Sequence, residues 1–283
     1  MEEFGESVLL RAFFETADGG YYSPLLRGCY ELLPIPEPIR GVARPSVLKE
    51  FLYSEIDCRC GPCKLSKYIP SDYVLVGSIS YSVREVAAHW DPRFDLGIYA
   101  DYWRSAGGRI PVSFKKRSGR KFLFFAAGLA KYPPGTFEGG RKSFTEIRRA
   151  FNNSDRGVYV VAYMEVSKIV DLVEYSAKLG VSVKGGKDQV VWERAAEEHG
   201  DIVLRVPHYA RGGDLPVIII SENYGILKDP IPLIVWEKGV RRLTDYSYLF
   251  GVRKPEDRIR HKLYNGRQTE EIVNFLRDRG VII

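Results

Sequence analysis

The sequence predicts a mixed α/β or α+β fold: a mixed β-sheet with flanking helices, built as a single large domain over residues 1–283. Three observations lead there. Apolar, strand-like runs occur near both ends of the chain. Capped amphipathic helices fall between several of these runs, but not in the strict alternation of a doubly wound parallel sheet. With 45% hydrophobic and 28% charged residues, the chain has the composition of a globular protein rather than a disordered one.

Taken in order, Val8–Phe14 is apolar and β-rich, and Asp18-Gly19-Gly20 makes a turn. Leu33–Pro38 carries prolines at 34, 36 and 38, which excludes a helix interior or a central strand and reads as extended coil. Ser46 is expected to cap a short helix over Val47–Ser54. Tyr73–Ile79 reads as a strand, Val83–Trp90 as one or two helical turns, and Lys121–Ala130 as a buried strand. The Gly/Pro-rich residues 132–141 are expected to be a mobile loop or a domain boundary. Ser143-Phe144-Thr145-Glu146 is a capping box that opens a helix to Asn152. Val158–Glu165 is the next strand, and Ser167–Leu179 an amphipathic helix stopped by Gly180. Asp188 would cap a helix that ends at Gly200; Ile202–Val206 and Val217–Ile220 read as strands, and Thr269–Arg279 as a terminal helix.

Charge and composition narrow the setting. The net charge of +6 and pI near 9.0 favour anionic partners, a nucleotide or nucleic acid among them. No apolar run approaches the roughly 18 residues of a membrane span, and the acidic start Met1–Glu6 is unlike a signal peptide, so a cytoplasmic protein is expected. Glutamine occurs only at Gln189 and Gln268, a depletion that suggests a heat-adapted source. This bears on the cysteines, because hyperthermophile cytosols tolerate disulfides. Cys58, Cys60 and Cys63 form a tight loop, and Cys29 is the only other thiol. The four can form disulfides, share a metal ion or remain free thiols, although no second CxxC completes a zinc ribbon.

Two segments offer groups for chemistry. His89-Trp90-Asp91-Pro92-Arg93-Phe94-Asp95 gathers an imidazole, two carboxylates and an arginine, a set suited to acid–base work or to one divalent ion. Its bland reading is a helix end with Trp90 and Phe94 packed inward. His208 follows the expected strand 202–206 and opens into a glycine-containing loop. His199 reads as a helix cap and His261 as a solvated residue of a basic run. Lys184-Gly185-Gly186-Lys187 is a weak anion-binding turn, and the usual phosphate loops, HExxH and GxSxG are absent. Basic clusters occur at Lys115-Lys116-Arg117 with Arg120 and Lys121, at Arg141-Lys142 with Arg148-Arg149, and at Arg253, Lys254, Arg258, Arg260 and Lys262 beside Tyr246, Tyr248 and Tyr264. Such interleaving suits phosphate contact with base stacking, and equally a surface laced with ion pairs.

Phe14–Leu25, with its Gly-Gly turn and Ser23-Pro24, resembles the opening of the nucleotide-modification-associated domain 3 family, as does Leu33-Pro34-Ile35-Pro36 after it. His89–Asp95 is similar to that family's His/Asp-Pro block, and Phe122–Leu129 to its Phe-rich strand. The resemblance covers the first half of the chain, and the cysteine loop stands outside it. It implies a role beside enzymes that modify bases in DNA or RNA. The expected site combines Asp18, His89, Asp91, Asp95 and His208 as catalytic or metal-binding groups, with Gly19, Gly20, Ser23, Arg93 and Lys121 holding substrate or phosphate. The alternatives are a non-catalytic nucleic-acid-binding module that uses the basic clusters, and an interaction protein cross-linked by its cysteines.

Overall fold

A computed structural model of the chain describes residues 3–39, 43–77, 79–116, 118–181, 188–257, 259 and 261–281. The strands in the first half are β1 (Ser7–Arg11), β2 (Ser23–Leu26), β3 (Cys29–Tyr30), β4 (Ile35–Pro38), β5 (Tyr73–Val76), β6 (Ile79–Ser82), β7 (Val86–His89) and β8 (Ile98–Asp101), with the one-turn helix α1 (Pro45–Leu48) between β4 and β5. There follow β9 (Phe122–Lys131), α2 (Phe144–Asn152), β10 (Asp155–Glu165), β11 (Lys168–Asp171), α3 (Leu172–Leu179), α4 (Asp188–His199) and α5 (Pro207–Arg211). The chain closes with β12 (Val217–Ile220), β13 (Tyr224–Glu237), β14 (Val240–Leu243), β15 (His261–Tyr264) and α6 (Gly266–Asp278).

The main sheet runs β14-β13-β10-β9-β1-β15, and β2 pairs with β9 beyond the end of β1. β1 and β2 lie parallel to β9, while β10, β13, β14 and β15 pair antiparallel, so the sheet is mixed. β9 explains this arrangement. Its Leu123, Phe125, Ala127 and Leu129 enter one core, and Phe122, Phe124 and Ala126 enter another on the opposite face. A strand covered on both faces has no polar side to alternate with, and so it appears in the sequence as an unbroken apolar run.

Each face has its own cover. On one, α6 presents Ile272, Val273 and Leu276 beside Phe250 and Val252. On the other lies a smaller sheet, β11-β12-β8, which contributes Tyr99, Val217 and Ile219. The far face of that sheet, through Ile98, Ala100 and Ile218, packs on Trp192 and Val191 of α4 and on Leu172 of α3. The order of layers is helix, sheet, sheet, helix. Among the described residues no helix is long and apolar enough to cross a membrane.

Several expectations change. Val83–Trp90 holds one 3-10 turn, Val83–Glu85, and then strand β7, because Val86–Ala88 pair with β4 and tertiary pairing outweighs local helix preference. Residues 168–171 of the expected 167–179 helix are strand β11, and the helix begins only where Asp171 caps the N–H groups of Val173 and Glu174. Where a strand is expected over Ile202–Val206, the chain forms a 3-10 turn, Asp201–Arg205. Pro45, not Ser46, opens α1, which ends at Leu48 and gives way to a 3-10 turn. The capping box at Ser143 and the left-handed Gly180 stop are as the residues dictate. Within 132–141, Tyr132 and Phe137 stack edge-on at 4.9 Å.

Phe124 is fully buried between Phe250 and Tyr264. Phe124→Ala should cost about 3–5 kcal/mol by denaturant unfolding, through lost burial and the cavity left behind. Tyr248, 68% exposed, should tolerate alanine within about 0.5 kcal/mol. Equal effects at the two positions would contradict the two-sided core.

Candidate functional site

The site forms where the β4–β7 pair meets the edge of the smaller sheet and α5. Glu37 pairs with Ala87 across this ladder, so His89 is its diagonal neighbour on the same face. His89 Nδ1 lies 2.9 Å from Glu37 Oε2. Arg211, one turn after His208 on α5, donates to Glu37 Oε1 and, at 2.5 Å, to Asp214 Oδ2. Among the described residues β4 and β7 pair only with each other, which is why Pro36 and Pro38 are tolerated in β4.

Asp91 follows β7 and is joined to Pro92 by a cis peptide bond. Both of its carboxylate oxygens accept the N–H of Ala100, at 3.0 and 2.9 Å. β8 is an edge strand of the smaller sheet, so the Asp91 carboxylate takes the place of a missing ladder partner. His208, on the short helix opened by Pro207, places Nε2 4.0 Å from Asp91 Oδ2 and Nδ1 3.4 Å from the Tyr102 hydroxyl. The His89 and His208 rings meet edge to face with centroids 5.1 Å apart.

One donor atom from each of His89, Asp91 and His208 lies within 4.8 Å of the others. The Asp91 and His208 side chains are 1% and 5% exposed, whereas His89 retains 14%, so the cluster opens on the His89 side. Its electrostatics are polarised. Burial pushes the Asp91 carboxyl up to about 8, against the opposing pull of His89 and the Ala100 N–H. Burial, with the charges of His89 and Arg211, drives His208 down to about 3, which leaves a neutral imidazole. Burial also disfavours charge on His89, but the hydrogen bond and charge of Glu37 outweigh it and raise its pKa. For Glu37, burial is outweighed by His89 and Arg211, and its pKa falls to about 2.

Two imidazoles and a carboxylate are a donor set for a first-row divalent ion. The outer atoms are already engaged: Glu37 holds His89 Nδ1 and Tyr102 faces His208 Nδ1, which leaves Nε2 of each ring as the donor atom, that of His208 4.0 Å from Asp91 Oδ2. Such outer partners fix ring orientation in metal sites. Bonds of about 2.1 Å would require the donors to draw together by about an ångström.

The other expected residues lie elsewhere. Asp18 does not join the cluster: it occupies a turn, where its carboxylate accepts the Gly77 N–H at the tip of the β5–β6 hairpin at 2.8 Å. Gly19 and Gly20 have positive φ and lie against the rings of Phe14 and Phe144, leaving no room for a side chain, so their glycine character serves packing. Ser23 is fully buried and accepts the Leu33 N–H at 3.0 Å. Asp95 instead chelates Arg93 at 2.8 and 2.6 Å, and that guanidinium lies 4.1 Å from the Trp90 ring centroid. Lys121 donates to the carbonyls of Phe114 and Lys116, and burial lowers its pKa. His199 ends α4 and meets the Tyr175 hydroxyl at 2.6 Å. Residues 184–187 lie outside the described residues, as do Arg117, Arg258 and Arg260.

The cysteines form two disulfides, Cys29–Cys60 and Cys58–Cys63, which leaves none to hold a metal ion. The N–H groups of Arg59 and Cys60 donate to the buried Glu31 carboxylate at 2.9 and 2.8 Å, tying the loop to β3 a second time. Sequence reasoning missed Glu37, Tyr102, Arg211 and Asp214 as site residues. Glu37 left one signal: it is the only charged residue in the proline-punctuated stretch 33–38.

The fold and site together define a mixed-sheet α+β protein with a buried two-histidine, one-carboxylate cluster beside its smaller sheet. The chain belongs to the nucleotide modification associated domain 3 family, whose sequence profile matches residues 6–184. That span contains Glu37, His89 and Asp91, while His208 and Arg211 lie beyond it. No curated protein and no solved structure matches the chain significantly.

Reduction should lower stability in two unequal steps. Cys29–Cys60 spans 31 positions, worth about 3–4 kcal/mol by loop entropy, and Cys58–Cys63 spans 5, worth about 2 kcal/mol. Thermal melts of Cys29→Ser and Cys58→Ser variants should rank in that order; unchanged melting in reductant would contradict both bonds.

Proposed function

We propose that this protein is a metal-dependent enzyme acting on a nucleotide or nucleic acid in base modification, with His89, Asp91 and His208 holding a divalent ion. The observation that carries this reading is the convergence of three donor groups from two distant segments, with the outer nitrogen of each ring facing a protein oxygen. Family membership supplies the nucleotide context. Three protein ligands leave coordination positions for water and substrate, where a bound ion supplies Lewis acidity. Glu37 orients His89 through its Nδ1, and Arg211 holds Glu37 in register. His208 is ready to ligate as a neutral imidazole.

The binding-module reading is less favoured because several of the described cations in the basic clusters are engaged internally. Lys115 pairs with Asp171 and Glu174, Arg120 chelates Glu165, and Lys262 reaches Asp257. Lys121 points at backbone carbonyls. Cations already paired have less to gain from phosphate.

Titration of the metal-stripped protein with Zn2+, Mn2+ and, without oxygen, Fe2+ should show one site. His208→Ala should abolish it, and Glu37→Gln should weaken it about 10–100-fold. Mass spectrometry of nucleosides recovered from treated nucleotides and oligonucleotides should show a mass change with the loaded protein that His208→Ala removes. Absence of a site, or variants that bind metal as the parent does, would overturn the metal reading.

A further inference from the structure

Four arginines converge on one face of the main sheet, and among the described residues only Arg11 of the four has a carboxylate partner, Glu15. Arg156 of β10 is paired with Trp236 of β13, and Trp236 with Arg241 of β14, so the three side chains project from the same face in one row. Arg156 also pairs with Ala130 of β9, and Arg11 of β1 pairs with Ala126 on that strand. Side chains alternate along a strand, so Ala126 and Ala130 share a face and Arg11 points to the same side as the row. This is the face that α6 covers farther along the sheet. Arg148 approaches it from α2.

Aromatic rings hold these guanidiniums in place. Tyr22 lies against Gly128 of β9, where a Cβ would fall 2.6 Å from the ring, and it meets Phe151 at 5.1 Å and Trp236 at 6.5 Å. Arg241 lies 4.3 Å from the Trp236 centroid, and Arg11 5.4 Å from that of Tyr22. Arg156 and Arg148 lie 4.6 and 5.3 Å from the Phe151 centroid. Their hydrogen bonding is incomplete. Arg156 donates to the Phe151 carbonyl at 2.9 Å, but Arg241 Nε and Arg148 Nη1 are buried with no partner among the described residues. Arg11 Nε is also buried, and Glu15 Oε2, 3.1 Å away, is not aligned to accept from it. Burial lowers the Arg241 pKa and the charge of Arg11 adds to this, although Tyr22, Glu256 and Asp257 act the other way. Desolvated cations that lack acceptors are costly, and an anion offsets that cost. All four side chains keep partial exposure, so an anion from solvent can reach their outer N–H groups.

We propose that this face grips the phosphodiester backbone of a nucleic-acid strand through Arg11, Arg148, Arg156 and Arg241. A guanidinium is a planar fork of donors that matches phosphate oxygens. Arg156 and Arg241 stand two strands apart, roughly 10 Å, so the row is wider than one phosphate group and suits a chain of them. Family membership favours a nucleic acid over an acidic protein as the source of that charge. The surface goes beyond the metal reading and does not depend on it. The smaller sheet, at whose edge the His89, Asp91 and His208 cluster sits, covers the opposite face of the main sheet, and the two sets share no residue.

Fluorescence anisotropy of a labelled single-stranded oligonucleotide, titrated with the full-length oxidised protein, tests this. Affinity should fall steeply between about 50 and 200 mM salt, and the same sequence on an uncharged methylphosphonate backbone should not bind. Arg148→Gln and Arg241→Gln should each weaken binding about five- to ten-fold, whatever the sequence, and lower the salt slope by about one. Arg241→Lys keeps the charge and should restore that slope, which separates a charge effect from a folding defect. Arg194→Gln removes the same charge from an exposed pair on α4 and should change neither quantity, and a chelator should not change them either. Poly-glutamate that binds as tightly as the oligonucleotide would overturn the phosphate assignment, and a nucleoside triphosphate that competes as well as the strand would overturn the strand as occupant. No binding of the strand, or binding indifferent to Arg148→Gln and Arg241→Gln, would overturn the surface. If that indifferent binding were lost with chelator, the proposed function would still stand.

Discussion

Glu37 is the constraint on which the site depends. It lies on a short, proline-bearing strand, where its two oxygens face the His89 imidazole and the Arg211 guanidinium. Burial alone would oppose its charge; the two partners reverse that and hold it ionised. An ionised Glu37 fixes one nitrogen of His89 and thereby leaves the other as the ring's donor atom beside Asp91 and His208. Arg211 and His208 share α5, so the same carboxylate that orients one imidazole also anchors the helix bearing the second. Breaking a buried charged contact of this kind leaves an uncompensated charge, and the geometry of the cluster would change with it.

The layered fold supplies the rigidity this requires. The smaller sheet is clamped between the main sheet and α3–α4, so edge strand β8 has little freedom to move. That fixed edge holds Asp91 through the Ala100 N–H. Arg44 braces the other side, bonding Asp188 of α4 at 3.0 Å and the Tyr209 carbonyl of α5 at 2.7 Å. The three donor groups therefore come from the β7 segment and from α5, each tied to scaffold by backbone or ion-pair contacts rather than carried on open loops.

Where local chemistry determines structure, the sequence was legible. β9 was visible as an apolar run, α2 through its Ser143–Glu146 box, and the end of α3 through Gly180. Residues 86–89 were misread because their apolar run suits a helical face as well as a strand, and only pairing with β4 decides between them. Residues 168–171 were misread for the same reason, since they take strand form by pairing with β12. At the site, His89, Asp91 and His208 stood out as chemical types, but their meeting depends on a separation of more than a hundred residues that no spacing rule encodes. Asp18 was grouped with them because a Gly-Gly turn resembles a substrate loop; Phe14 and Phe144, which fill the space beside those glycines, give the turn a packing role. Glu37 was hidden by its prolines, which mark extended chain without revealing a partner.

The most direct test of the central claim is X-ray diffraction from crystals soaked in Mn2+ or Zn2+ and measured at the metal's absorption edge. The account predicts one dominant anomalous peak bounded by His89 Nε2, His208 Nε2 and the Asp91 carboxylate, with the Glu37–His89 contact intact. A peak located elsewhere, or none in that space from protein that retains the ion, would contradict it.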